Sequence, residues 1–307
     1  MSHHPPRIFR PTGSIGQCGS NNPEDIRQLQ KMMIEAGYNH IHGNHLRVSG
    51  HCDSETSAAI IWHQRLLNMS PSGLVHPQET WFFTMFSEAI SPHWRPRHFS
   101  GPLRVNEGQL TFDAEGLDYI TAAEPFRQPK NMKYFSRILQ FPPSVNSGVT
   151  LGRGYDMGER SSSEILSDLR QAGIEEYKAV ICSKAAYLKH HSAVRFVKEY
   201  GPLVGEITYQ QQIRLFVIAY RAKKQYAKGV YSRHLQGIES PLSWDKIDIK
   251  IRDVYVDSLY QGVLSAGDLG HLIAKGATKN EVINFIETDP YQKHDIARMQ
   301  ARIRSLR

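Results

Sequence analysis

Asn146-Ser147-Gly148-Val149-Thr150-Leu151-Gly152-Arg153-Gly154-Tyr155-Asp156-Met157-Gly158 is the stretch on which the reading of this chain turns. Read as extended backbone, alternation sets Thr150, Gly152, Gly154 and Asp156 on one side and Val149, Leu151, Arg153, Tyr155 and Met157 on the other. The first side carries a hydroxyl and a carboxylate with two positions between them that have no side chain. Glycine weakens a strand unless another backbone or a ligand must come close. The pattern therefore predicts a slot for a polymer, floored by glycine and bordered by Thr150 and Asp156. A dinucleotide-binding fingerprint is excluded: it requires G-x-G-x-x-G, and after Gly152 and Gly154 the third glycine, Gly158, arrives one residue late. A glycine-bearing hairpin ending on a structural Asp156 stands as the other reading of the same residues.

Glycoside hydrolysis uses two carboxyl groups, one of them kept protonated so that it can donate to the leaving oxygen. Upstream, Phe112-Asp113-Ala114-Glu115-Gly116-Leu117 supplies Glu115, and Glu124 follows nine residues later as a rival acid. Phe112, Leu117 and Tyr119 are apolar surroundings of the kind that raise a carboxyl pKa.

Around this centre the chain reads as α+β and mostly helical. Gln109–Phe112, Tyr134–Phe141 and Val149–Tyr155 look strand-like. Ser161 or Ser162 caps a helix through Ile165, Leu166 and Leu169, and a long helical tract covers about 176–200. Thr208 with Gln211 is a capping-box pattern, and Trp244, Ile247, Ile251 and Val254 recur at helical intervals. A last helix carries Ile296, Met299, Ile303 and Leu306. In the N-terminal part, Asn22 precedes Pro23 as a cap with Gly37 as the stop, Asp53 opens a second helix, and a third begins near Pro77. This gives a loose tail over 1–13, a three-helix domain over 14–90, a Pro-rich linker over 91–107, and a second domain over 108–307 with a small β-sheet and a helical bundle.

Composition narrows the function classes. At 307 residues, 40% hydrophobic and 22% charged, the chain is ordinary globular material with room for about two domains. No apolar run reaches the roughly 18 residues of a membrane span, so membrane insertion is not expected. The start, Met1 to Arg7, has no apolar secretory segment, so export would need another route. The net charge of +7 favours anionic partners such as acidic wall polymers, while the scattered basic residues do not form a nucleic-acid stripe. Cys18, Cys52 and Cys182 are too few for a zinc framework; Cys18 and Cys52 either pair or remain thiols. His40, His42, His45 and His51 cluster, and are read as loop histidines rather than a metal site. No cofactor is implied.

The run from Ser147 to Gly158, preceded by Phe112 to Gly116, resembles the active-site region of phage-type lysozymes. It is most similar to the pesticin-like toxin branch and the lysozyme domains of type VI secretion effectors. The resemblance extends from about residue 108 to the C-terminus. The N-terminal unit is similar to the three-helix peptidoglycan-binding domain, through Asp25–Met33, Val48 to Ile60, and Ser72 to Val75.

These resemblances imply a muramidase that cleaves the β-1,4 bond between N-acetylmuramic acid and N-acetylglucosamine. Glu115 matches the general acid, and Thr150 and Asp156 match the family's Thr and Asp. Glu124 stays open because the stretch from Glu115 to Thr150 is longer than in the shortest phage enzymes. Gly152, Arg153, Gly154 and Tyr155 are the expected substrate contacts, Arg153 either on a muropeptide carboxylate or paired with a structural acid. The expected partners are peptidoglycan, an immunity protein and a secretion-system carrier, with action in the wall of a target bacterium. A phage endolysin, a lytic transglycosylase and a non-catalytic wall-binding protein remain alternatives.

Overall fold

The computed structural model describes residues 8–35, 38–40, 45–67, 69–90, 103–116, 136–141 and 147–307. The protein is mostly helical: among the described residues, twelve α-helices accompany two antiparallel two-stranded sheets. The helices are α1 (Pro23–Glu35), α2 (Ser54–Leu66), α3 (Thr80–Ile90), α4 (Gln109–Ala114), α5 (Ser162–Gln171) and α6 (Glu176–Ser183). They continue as α7 (His190–Val204), α8 (Tyr209–Arg233), α9 (Ile249–Gln261), α10 (Ala266–Ala274), α11 (Lys279–Thr288) and α12 (Ile296–Leu306). Strands β1 (Ile15–Gly16) and β2 (Leu74–Val75) form one sheet, and β3 (Thr150–Leu151) and β4 (Tyr155–Asp156) the other. None of the described helices is long and apolar enough to cross a membrane.

Two compact units emerge. One contains the described residues up to Ile90 together with Ser136 to Leu215; the other contains Leu103 to Gly116 and Phe216 to Arg307. In the first unit the first two helices start where capping chemistry dictates. Asn22 Oδ1 accepts from Glu24 N at 2.9 Å, and Asp53 Oδ1 accepts from Thr56 N at 2.8 Å. Such caps are each worth about 1 kcal/mol, because the first N–H groups of a helix otherwise lack partners. Ile26, Leu29, Met33, Ile60, Phe82 and Phe86 are buried between these helices. His63 sits among the rings of Tyr38, Trp62, Phe82 and Phe86. Within the stretch read as a tail, Thr12 donates through N and Oγ1 to Asp25 at 2.7 and 2.6 Å, and Phe9 lies edge-on to Phe83. Gly37 and linker residues 91–102 lie outside the described residues.

Elsewhere in this unit Ser161 caps α5 through Glu164 N at 3.2 Å. Thr208 and Gln211 exchange hydrogen bonds of 2.8 and 3.2 Å at the start of α8. The tract expected as one helix over 176–200 is two, α6 and α7. Tyr187 and His190 have φ of 60° and 52°, a left-handed conformation that no right-handed helix can pass through. Of Tyr134–Phe141, expected as a strand, only Gln140 among the described residues forms a β-bridge, antiparallel to Thr150; Tyr134 and Phe135 lie outside the described residues.

In the second unit α4 packs on α9 and α12, and α9 also meets α10. Gln109–Phe112 is helix here, not strand. Gly108 enters it from a left-handed conformation, and Gln109 Nε2 donates to Asp113 four residues on at 2.8 Å. That helical spacing turns Thr111 and Phe112 inward together. Trp244 lies in a 3-10 turn ahead of α9, whose cap is Asp248. Ile296, expected on the apolar stripe of α12, is exposed at its first residue, whereas Met299, Ile303 and Leu306 are buried.

Candidate active site

In the first unit, β3 and β4 enclose the turn Gly152-Arg153-Gly154. The two glycines have φ of 65° and 78°, a region that costs a residue with a Cβ about 1–2 kcal/mol. The chain therefore reverses where alternation ran a single strand, and that four-residue face does not exist. The turn nevertheless brings its two outer members together: Thr150 and Asp156 are directly opposite one another across the hairpin, where cross-strand side chains share a face. Gln140 flanks Thr150 on its other side, through N–H···O bonds of 2.9 and 2.8 Å. Gln140, Thr150 and Asp156 thus form one row. Sequence reasoning passed over Gln140, whose only local signal is its place in an apolar run beside Leu139 and Phe141.

Asp156 is held by backbone donors. Its Oδ1 and Oδ2 accept from Gly148 N at 3.0 and 3.1 Å, and Oδ1 accepts from Gly158 N at 2.7 Å. The backbones of Gly148 and Gly158 approach so closely that a Cβ on either would collide with the other. The side chain of Asp156 is thereby oriented while the residue stays half-buried. Thr150 is buried, and its hydroxyl donates to Gly148 O at 3.3 Å. Arg160 donates to the Asp156 carbonyl and stacks its guanidinium 4.4 Å from the centre of the Tyr155 ring. Tyr155 points inward, its hydroxyl donating to Asp168 Oδ2 at 2.7 Å. Burial, and after it the Asp168 hydrogen bond, push that phenol above its ordinary pKa. Arg153 and Gly152 are also buried, and Gly154 is half-buried. Of the four positions expected to touch substrate, Gly154 therefore offers the most accessible surface.

In the second unit Glu115 stands at the C-terminal end of α4, with a side chain 18% exposed. Arg298 Nη1 meets Glu115 Oε1 at 2.7 Å. The same guanidinium donates to both oxygens of Asp257, at 2.8 and 3.1 Å. Arg302 reaches Asp257 Oδ2 at 2.7 Å and is itself held by Gln292 and Gln261, each at 2.6 Å. Burial opposes the charge on Asp257, but the two guanidinium groups outweigh it and hold the carboxyl below its ordinary pKa. Burial likewise opposes the charge on Arg298, and the carboxylates of Glu115 and Asp257 override it and raise its pKa. Arg298 is the residue that sequence reasoning missed here. Its one signal was the pair Arg298 and Arg302, four apart on a helix whose Met299 and Ile303 face the core. Glu124 lies outside the described residues.

The remaining candidates are quieter. Cys18, Cys52 and Cys182 are all free thiols, and burial pushes Cys182 up to about 12, leaving it unreactive. Among the described residues no three His, Cys, Asp or Glu side chains converge as metal ligands; His42 lies outside that set.

A family model described as a domain of unknown function, DUF8812, matches residues 108–288. The match includes Glu115, Thr150 and Asp156 and ends before Arg298. No curated protein matches the chain.

Proposed function

The chain belongs to the DUF8812 family, a domain of unknown function, and on the residues of its hairpin we propose that it is a peptidoglycan hydrolase. In this reading 108–307 is a lysozyme-like muramidase domain and 14–90 a wall-binding domain that concentrates the enzyme on an insoluble substrate. Glu115 protonates the glycosidic oxygen between N-acetylmuramic acid and N-acetylglucosamine. Asp156 stabilises the oxocarbenium-like charge and, with Thr150, positions the attacking water. Gly154 and the backbone around it let the glycan approach, whereas Arg153 and Tyr155 are buried and offer it little surface.

The observation that carries this reading is the cross-strand pairing of Thr150 with Asp156, the carboxylate fixed by glycine N–H groups. A charged group oriented by backbone dipoles before the reaction is what electrostatic stabilisation requires, since nothing must reorganise as charge develops. The Arg298 contact gives Glu115 a fixed position. For Glu115 to hand a proton to the glycan, the Arg298 contact has to loosen as the substrate binds.

Turbidity loss and reducing-sugar release from purified peptidoglycan test the assignment. The wild type should release reducing ends, Glu115→Gln and Asp156→Asn should not, and Glu124→Gln should behave as wild type. Equal release by wild type and both of the first two variants rejects it. Release of amino groups without new reducing ends would make the protein an amidase or peptidase.

Delivery follows from the same reading: an antibacterial effector carried by a type VI secretion apparatus and countered by an immunity protein, the alternative being a phage endolysin. Expression directed to the periplasm of a Gram-negative host should lyse it, whereas cytoplasmic expression should be harmless.

A further inference from the structure

Tyr187 is 64% exposed and its backbone has a φ of 60°. For a bulky aromatic residue that conformation is an outlier, and strained residues persist only where their surroundings over-determine them, most often at binding sites. The surroundings here are the loop organised by Asp156. Tyr187 N donates to Met157 O at 3.3 Å, and Lys189 bridges Gly148 antiparallel. The Lys189 ammonium pairs with Glu159. Met157 follows Asp156 directly, and Gly148 donates to its carboxylate. The segment is therefore fastened at two points to the same loop, in a strained shape, while its aromatic ring is left in solvent. Among the described residues that ring has no stacking partner.

We propose that Tyr187 is a sugar-binding platform, its ring face stacking on the C–H face of a pyranose in the glycan strand whose linkage Asp156 serves. This rests on the hydrolase reading above. The chemistry favours a saccharide: a flat, exposed aromatic face, on a segment whose backbone is tied to the residue that follows Asp156, matches a ring with C–H groups on its faces. The nearby Lys189 and Glu159 neutralise one another, so the surface does not select a charged peptide. The contribution is from the ring and not the phenolic hydroxyl.

The test uses the full chain and peptide-free glycan strands released from peptidoglycan, so that stem peptides contribute nothing. Binding is followed by calorimetry, and reducing-end release gives KM and kcat on the same preparations. Tyr187→Ala should weaken binding and raise KM about tenfold with kcat within about twofold, a loss of roughly 1.4 kcal/mol. Tyr187→Phe and Tyr187→Trp should remain near wild type. Tyr187→Gly should lose binding like the alanine variant yet keep or raise Tm, since glycine accepts the left-handed backbone; a merely structural tyrosine would lose Tm instead. Wild-type-like binding by the Ala and Gly variants overturns the platform and leaves the hydrolase reading intact. Strand binding that needs Tyr187, without any release of reducing ends, upholds the platform and overturns the hydrolase. A wild type that neither binds nor cleaves the strands overturns both.

Discussion

Asp156 and Asp257 are both carboxylates fixed on all sides by donors, yet the donors differ in kind. Asp156 is held by neutral backbone N–H groups of two glycines and remains half-buried. Asp257 is sealed from solvent between the guanidinium groups of Arg298 and Arg302. Backbone dipoles orient a carboxylate without bringing a countercharge to it. Paired guanidinium groups consume the charge, so Asp257 can only hold helices together. The two clusters thus differ in what they leave open: in the proposed function the first serves the chemistry, whereas the second ties helices together, and Glu115 touches the second through Arg298.

Substitutions can break that division. Glu115→Gln should lower reducing-end release by about 100- to 10,000-fold, the usual worth of a positioned proton donor, while its circular dichroism spectrum stays unchanged. Asp156→Asn should lose activity on the same scale with only a small shift in the urea midpoint, because an amide oxygen still accepts from glycine N–H. Asp257→Asn should do the reverse to stability: it leaves two buried guanidinium groups short of countercharge, a loss of about 3–5 kcal/mol by urea denaturation. A larger loss of stability from Asp156→Asn than from Asp257→Asn would erase the distinction.

Acid should separate the two units. His63 is buried among aromatic rings, its Nδ1 bonded to Ala59 O at 2.7 Å, and burial pushes its pKa down to about 3. Its unfolded value is about 6.5, so the unfolded chain takes up a proton that the fold refuses. Stability of the N-terminal helices is therefore complete above about pH 6.5 and falls on acidification toward pH 3, by a few kcal/mol. Asp257 works in a lower window: its folded pKa is depressed, so its contribution is present above about pH 4, the unfolded carboxyl value, and declines as pH falls further. Thermal scans from pH 7 down to 2 should show His63→Leu flattening the first loss and leaving the second. Smaller still, Gly152→Ala should cost about 1–2 kcal/mol through its left-handed backbone. Ile296→Ser, at an exposed helix start, should stay within about 0.5 kcal/mol of wild type.

Local chemistry was readable and distant pairing was not. The caps at Asn22, Asp53, Ser161 and Thr208 are contacts within three residues; the sequence alone places three of them and narrows the fourth to Ser161 or Ser162. Gln109–Phe112 was misread because a four-residue run fits a strand or a helix equally, and its Gly108 entry and packing on α9 and α12 decide the matter. The break between α6 and α7 carries no glycine or proline; its left-handed residue, Tyr187, sits where backbone contacts tie the chain to the loop 148–158. Thr150 and Asp156 do share a face, but through pairing across a hairpin and not through alternation along one strand. Arg298 and Asp257, 41 residues apart in sequence, have no local pattern that announces their meeting.

Digestion of purified peptidoglycan in ¹⁸O-labelled water, with products resolved by mass spectrometry, addresses the central claim most directly. A muramidase that directs water with Asp156 and Thr150 must place one ¹⁸O at each new reducing N-acetylmuramic acid end, and Asp156→Asn must abolish that product. Unlabelled anhydro ends, or labelled ends formed equally well by the variant, would contradict the account.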